Sequence, residues 1–399
     1  MRVRSVLRIF TAASSSVEGQ IAATLVLCCA CFGLAGCGNF FKKPTGGGSG
    51  GGGGCTVNCG TASDFLYIAN QVATRTGIAG FSISNAALAA VANSPYALTV
   101  LPTALAVDPL DKFIYVGSSD GLVYLYAINT DGSLTVQNSG SPVATIAAAS
   151  MQVDTTGSWL LVANSSNATV SAFAINATTG LLTSPVNGPV TLNAGVGLPS
   201  SLVITPANNF AYVSLGTSGV EVLSFASLSG TLADIGHLAT RGSQNSDQGM
   251  AVDSNSKFLF VTETGVNALR VLSIAASGNV TEVAGSPFTT GLGPSAVLVD
   301  STASFVYVTN RTDNTISQFA LTNSGSLIPI TGTAPTTGNT PVALVEDKSH
   351  TYVAAVSQGG NPDLELFTFD ATTAGKLDKF TTIATGTDPT VPVAIAGTR

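Results

Sequence analysis

Groups that could do acid–base or nucleophilic chemistry are scarce in this chain. Its 399 residues hold 2 His, 22 acidic and 15 basic residues, for a net charge of −7. Gly117-Ser-Ser-Asp-Gly121 matches the G-x-S-x-G expression of a nucleophile elbow. An elbow needs a strand-to-helix turn and a histidine partner. Here the motif joins two alternating apolar runs, so it reads as a hairpin loop. Of the two histidines, His350 falls at a core aromatic position beside a turn and reads as structural. His237 lies just before the polar loop Ala239–Gln248. Asp108, Asp154, Asp253, Asp300 and Asp347 recur in register and could suggest a ring around a cation. Each is followed by turn residues, and Asp in such a place bonds its own turn backbone. The sequence therefore predicts no metal site and no cofactor.

The remaining polar candidates sit in loops. They are Arg75, Asp120, Arg241, Asp247, Glu263, Arg311 and Asp313, with Asn70, Asn164 and Asn310 beside them. Only 9% of the chain is charged, so loops that keep arginine and carboxylate are the places for polar recognition. Arg241, Asp247 and Glu263 form the best group, joined by Arg75 and Arg311. Glu263 suits a general base or a hydrogen-bond acceptor. Arg241 and Arg311 suit an anionic or carbonyl group. No stretch clusters Lys and Arg with aromatics, which excludes nucleic acid as a partner.

The elements that must position these groups are strands. Glu and Lys number 6 and 7, too few for the exposed faces of a coiled coil or long helical bundle. Small, β-branched and turn-forming residues dominate instead, which points to an all-β protein. From residue 62 one pattern recurs seven times: Phe65-Leu-Tyr-Ile-Ala-Asn70, Phe113-Ile-Tyr-Val-Gly-Ser118, Trp159-Leu-Leu-Val-Ala-Asn164, Phe210-Ala-Tyr-Val-Ser-Leu215, Phe258-Leu-Phe-Val-Thr-Glu263, Phe305-Val-Tyr-Val-Thr-Asn310 and His350-Thr-Tyr-Val-Ala-Ala355. Its third positions fall at 67, 115, 161, 212, 260, 307 and 352. A period this regular means a repeat architecture. A Pro-led strand precedes most copies (Pro102, Pro199, Pro294, Pro341). An alternating run and a Gly-x-Leu hairpin follow, as at Gly132, Gly230, Gly325 and Gly375. Four short strands per repeat, set radially, make propeller blades. The first repeat lacks a Pro-led strand, and Pro392-Val-Ala-Ile-Ala396 is such a strand with nothing after it. The C-terminal strand is thus expected to pair with the N-terminal blade and close a seven-bladed β-propeller over residues 62–399.

Tyr307-Val-Thr-Asn310 and its six weaker copies resemble the YVTN-type repeat, and the arrangement is similar to the lactonase-type seven-bladed propellers that include 6-phosphogluconolactonase. That resemblance implies a lactone hydrolase with His and Arg at the starts of inner strands and a Glu after a YVTN-like strand. The matching starts here, Pro199-Ser-Ser-Leu202 and Asp247-Gln-Gly-Met250, hold neither His nor Arg, and Glu263 falls one residue from the family's Glu. On these residues the sequence favours a monomeric binding propeller for a protein, glycan or small polar ligand. A lactonase acting on a sugar lactone, with Glu263 catalytic, is the alternative.

Residues 1–36 combine Arg2, Arg4 and Arg8 with an apolar run from Ile21 to Gly36, the pattern of a secretory signal peptide. Leu34-Ala-Gly-Cys37 resembles a bacterial lipobox. The resemblance implies a chain lipidated at Cys37 and held at the cell envelope, at the outer membrane or cell surface, by its lipid alone. Residues 37–61 then form a Gly-rich tether. Within it, Cys55 and Cys59 could close a disulfide or remain free or redox thiols.

Overall fold

The computed structural model describes residues 64–71, 76–84, 87–192, 197–242, 247–359, 363–383 and 392–398. Arg75, Cys37, Cys55, Cys59 and the signal and tether segments lie outside them. The described residues form seven antiparallel sheets, each built on four strands running from the ring's centre to its rim. The innermost strands of blades 2 to 7 are Pro102–Val107, Ala148–Val153, Ser201–Ile204, Asp247–Val252, Pro294–Val299 and Pro341–Glu346. Blade 1 takes its inner strand from the other end of the chain. Pro392–Gly397 pairs antiparallel with Asp64–Asn70, with Tyr67 opposite Ala396. Closing the ring in this way leaves no open inner edge. Among the described residues, helix is limited to the single 3-10 turns Asn138–Gly140 and Thr264–Val266.

The core lies between neighbouring blades rather than within one. Leu161 and Ala163 of blade 3 pack with Leu202, Ala211 and Val213 of blade 4 in one apolar cluster. The repeated residues explain how each blade meets the next. The first position of the repeat is a large ring: Phe65, Phe113, Trp159, Phe210, Phe258 or Phe305. Each ring covers the hairpin glycine of the following blade, respectively Gly132, Gly180, Gly230, Gly278, Gly325 and Gly375, so closely that a Cβ there would lie under 3.0 Å from it. These glycines also have φ between 70° and 88°, a region where a side chain is strained. The repeat's tyrosine completes the clasp. The hydroxyls of Tyr67, Tyr115, Tyr212 and Tyr307 donate to the carbonyls of Gly132, Gly180, Gly278 and Gly375 at 2.7–3.0 Å. In blade 3, where the third position is Leu161, Trp159 Nε1 donates to Ser227 O at 2.6 Å instead.

The recurrent aspartates are turn residues, as the sequence predicts. Asp154, Asp253, Asp300 and Asp347 each use Oδ1 to accept two backbone N–H groups at the start of the next strand, at 2.6–2.8 Å. Asp108 Oδ1 accepts from Leu110 and Lys112. Thr205 fills this role in blade 4. At the ring closure Thr398 Oγ1 accepts from Phe65 N at 2.9 Å. Lys348 Nζ meets Asp111 at 2.5 Å, tying the turns of blades 7 and 2 across blade 1.

The seventh repeat departs from the sequence reading. Asp347 bonds Tyr352 N as Asp300 bonds Phe305 N. Tyr352 therefore holds the first position, and Ala354 stands where the tyrosine stands elsewhere. His350 is not a core aromatic. It occupies the left-handed turn position, φ 54°, matching Ala303 at φ 53°. Its side chain is 58% exposed and sits 3.5 Å from Glu346.

Three outcomes follow for stability. Tyr307→Phe removes one buried hydroxyl bond and should cost about 1 kcal/mol in urea unfolding. Gly375→Ala, which meets both the φ constraint and the Phe305 ring, should cost roughly 2–4 kcal/mol. Equal costs would contradict the clasp. At the closure, burial and then the hydrogen bond and charge of Asp347 raise the Asp64 carboxyl from 3.8 to about 6. A carboxyl raised on folding stabilises the native state only while protonated. The wild-type melting temperature should therefore fall, relative to Asp64→Asn, as pH rises from about 4 to about 6.

Candidate functional site

Strand direction sorts the loops into two faces. The start of each inner strand pairs with the end of the second strand, as Pro294 does with Asn310. Blade-to-blade crossings and the loops after the second strand therefore share one face, called upper here. The aspartate turns and the glycine hairpins share the other. Gly117–Gly121 is an upper hairpin joining two strands: Gly121 N donates to Ser118 O, so Ser119, the serine of the motif, is no nucleophile on a strand-to-helix elbow.

The upper face holds a cavity of about 410 Å³ over blades 5 to 7. Gln248, Ser295 and Val342 line it from three successive inner strands, and Thr264, Gly265 and Arg311 from the loops above. Hydroxyls fix its walls. Ser295 Oγ donates to Pro341 O at 2.8 Å, and Thr264 Oγ1 to Pro294 O at 2.8 Å. Arg311 N donates to Gly293 O at 2.8 Å, which pins the backbone while the exposed side chain borders the cavity. Among the described residues its guanidinium has no ion-pair partner.

The sequence-derived candidates are brought together only in part. Asp247 opens the inner strand of blade 5 directly opposite Glu263, which ends the neighbouring strand. Their chain neighbours Gln248 and Thr264 line the cavity. Glu263 itself is fully buried. Arg241 turns away from this group. Its Nη1 lies 3.3 Å from Glu282 on the outermost strand of blade 5.

Glu282 also receives Arg270, through Nε at 2.9 Å and Nη2 at 2.8 Å. Sequence reasoning passed over Arg270, which is 3% exposed. It also passed over Glu221 and Glu365, which hold the equivalent third-strand position, opposite Val213 and Ala355 as Arg270 is opposite Val261. In three blades this position ties down the upper crossing. Arg270 Nη1 donates to Ala239 O at 3.1 Å. Ser317 Oγ accepts from Gly291 N, and Glu365 Oε2 from Gly338 N, both at 3.0 Å. Burial raises the carboxyl pKa of Glu365, against the opposing pull of Lys379 at 2.6 Å. Burial likewise raises that of Glu221, with Asp234 adding to it and His237, 3.0 Å away, opposing. The signal available in the sequence was a charge inside an apolar run, as in Leu269-Arg-Val-Leu272.

With the fold and cavity described, comparison with known proteins decides the family. The model of the lactonase seven-bladed β-propeller family matches residues 56–287 and 282–393. The chain belongs to the lactonase family. No curated protein matches it. Among solved structures it is similar to the periplasmic gluconolactonase of Pseudomonas aeruginosa, at 17% identity and TM-score 0.67, over 85% of this chain and 99% of that one. A candidate 6-phosphogluconolactonase of Bacteroides uniformis aligns at 17% identity and TM-score 0.69, over 84% and 99%. A Lactobacillus plantarum protein aligns at 20% identity and TM-score 0.63, over 84% and 99%. At such identities these likenesses show the fold. Among the described residues of this lactonase-family chain, no group of three His, Cys, Asp or Glu side chains could hold a metal ion.

The two arginines at Glu282 should respond differently to removal. Arg270→Met removes a buried guanidinium with its bonds to Glu282 and leaves the Ala239 carbonyl without its donor, and should cost roughly 2–4 kcal/mol. Arg241→Ala removes a half-exposed pair and should cost under about 1 kcal/mol. Denaturant unfolding of the two variants checks this order.

Proposed function

We propose that this protein hydrolyses a sugar lactone without a phosphate group, in the upper cavity over blades 5 to 7. The observation that carries the reading is the guanidinium of Arg311, which has no ion-pair partner among the described residues and is set among the hydroxyl and carboxamide groups of Ser295, Thr264 and Gln248. One guanidinium suits a polarised carbonyl oxygen. A phosphate calls for a cluster of charge-assisted donors, and among the described residues the cavity lining has one cation.

In this reading Arg311 holds the lactone carbonyl oxygen and stabilises the charge that develops on it. The base is assigned to the acidic strand ends of blade 5, Asp247 or Glu263, next in sequence to the cavity-lining Gln248 and Thr264; it takes a proton from water as the water oxygen adds to the carbonyl carbon. The ring C–O bond then breaks, and the proton returns to the departing ring oxygen. The product is the open hydroxy acid. Family membership and the position of the cavity support this reading over ligand capture without turnover. Capture keeps one observation in its favour. Neither histidine borders the cavity: His237 pairs with Glu221 and His350 lies on the opposite face.

Glucono-δ-lactone hydrolysis by the full chain, read as proton release, tests the proposal. Turnover above the uncatalysed rate is expected. Arg311→Ala should lower kcat/KM by about 10²-fold, the scale of one lost oxyanion donor. Asp247→Asn and Glu263→Gln should each lower kcat. Saturable lactone binding with no turnover would replace hydrolysis with capture.

We also propose that Cys37 anchors the chain at the cell envelope. Cys37→Ser should move the protein from the membrane fraction to the soluble one; a variant that stays with the membrane contradicts the anchor.

A further inference from the structure

A second upper-face cavity, also about 410 Å³, lies between blades 2 and 3. Its origin can be read by comparing blade 3 with blade 6. Both carry the same three polar residues at the same register: Asn164, Thr169 and Ser171 in blade 3, Asn310, Thr315 and Ser317 in blade 6. In blade 6 the set is closed. Asn310 Nδ2 donates to Thr315 Oγ1 and to Ser317 Oγ, both at 3.0 Å, and Ser317 Oγ also accepts from Gly291 N.

In blade 3 the set is open. Asn164 Oδ1 turns to Ser166 N at 2.9 Å, and Thr169 Oγ1 to Asn167 Oδ1 at 2.7 Å. Ser171 is 3% exposed and lines the cavity, and among the described residues its hydroxyl has no hydrogen-bond partner. A hydroxyl on a nearly buried residue that opens onto a cavity, with no protein partner, is free to bond a polar group placed there.

The cause is a shorter crossing. Thr145, Thr289 and Thr336 hold equivalent positions, each paired with the start of a third strand. The next inner strand meets its partner five positions later at Pro294 and Pro341, but only three positions later at Ala148. The two missing residues include the counterpart of Gly291, the donor that closes blade 6. The space that such a backbone turn fills elsewhere is empty here.

We propose that this crevice binds a neutral pyranose unit, free or at the end of a glycan. Among the described residues no charged side chain lines it. Asn164, Asn167, Thr169 and Ser171 offer hydroxyl and carboxamide groups to sugar hydroxyls. Phe173 and Leu182 offer an apolar wall to the C–H face of a ring. The volume falls within the ~300–1,000 Å³ range of small-ligand sites. The crevice is separate from the lactone cavity and does not rest on that assignment.

The test is an NMR titration of the full chain with glucose, galactose, mannose and N-acetylglucosamine, each also as its β-linked trimer. At least one should bind saturably at millimolar or tighter affinity. Equal affinity for monomer and trimer marks a free-sugar site, and tighter trimer binding marks a glycan end. Ser171→Ala should weaken binding about 3–10-fold, the worth of one hydrogen bond. Inserting Gly-Leu after Ile146, which restores the longer crossing, should abolish it. Ser317→Ala, the matching change in blade 6, should leave it unchanged and serves as the folding control. No saturable binding by any member, binding that survives the insertion, or an equal loss with Ser317→Ala would each overturn the proposal.

Discussion

The ring depends on one repeated contact, a large aromatic of one blade seated on a left-handed glycine of the next. It uses the absence of a Cβ twice over. The glycine turns the hairpin at φ 70–88°, and its bare Cα lets the ring approach. The tyrosine bond and the aspartate turns then lock the same lower edge. A buried hydroxyl bonded to a backbone carbonyl is modest singly. Four such bonds plus one from tryptophan orient five blade junctions in the same sense.

Because the lower face carries these constraints, the upper face is freer to vary. Its crossings differ in length, and the third-strand position beneath them differs in kind: Ser171, Glu221, Arg270, Ser317 and Glu365. Each choice decides what the crossing above can bond to. A serine facing a glycine N–H closes a crossing, an arginine reaching a carbonyl holds another, and a serine with no crossing above it leaves a cavity. Polar chemistry accordingly concentrates where the blades are least alike.

The fold was legible because its key contacts are made by residues with fixed spacing. Phe305, Tyr307 and Gly375 announce a blade junction without knowledge of distant neighbours. The seventh repeat misled because Tyr352 occupies the first position while Ala354 replaces the tyrosine, so aromatic identity pointed two residues away from the true register. The candidate site was legible in part. Scarcity drew notice to Asp247, Glu263 and Arg311, which the strand ends set on or next to one cavity wall. It could not show that Arg241 is held by Glu282, since that pairing joins a loop to an outer strand of the next blade. Arg270 was overlooked because an apolar run hides a buried charge whose partner is far along the chain. The crevice of blade 3 was invisible to residue type altogether, since it arises from two residues missing in a crossing.

The central claim is a division of labour, with the lower face holding the ring and the upper cavity over blades 5 to 7 holding the substrate. A crystal structure of the protein with gluconate, the ring-opened product, tests it most directly. The account predicts ligand density framed by Gln248, Ser295 and Arg311, with the carboxylate on the guanidinium. Density only at the lower-face aspartate turns, or none in this cavity at saturating gluconate, would contradict it.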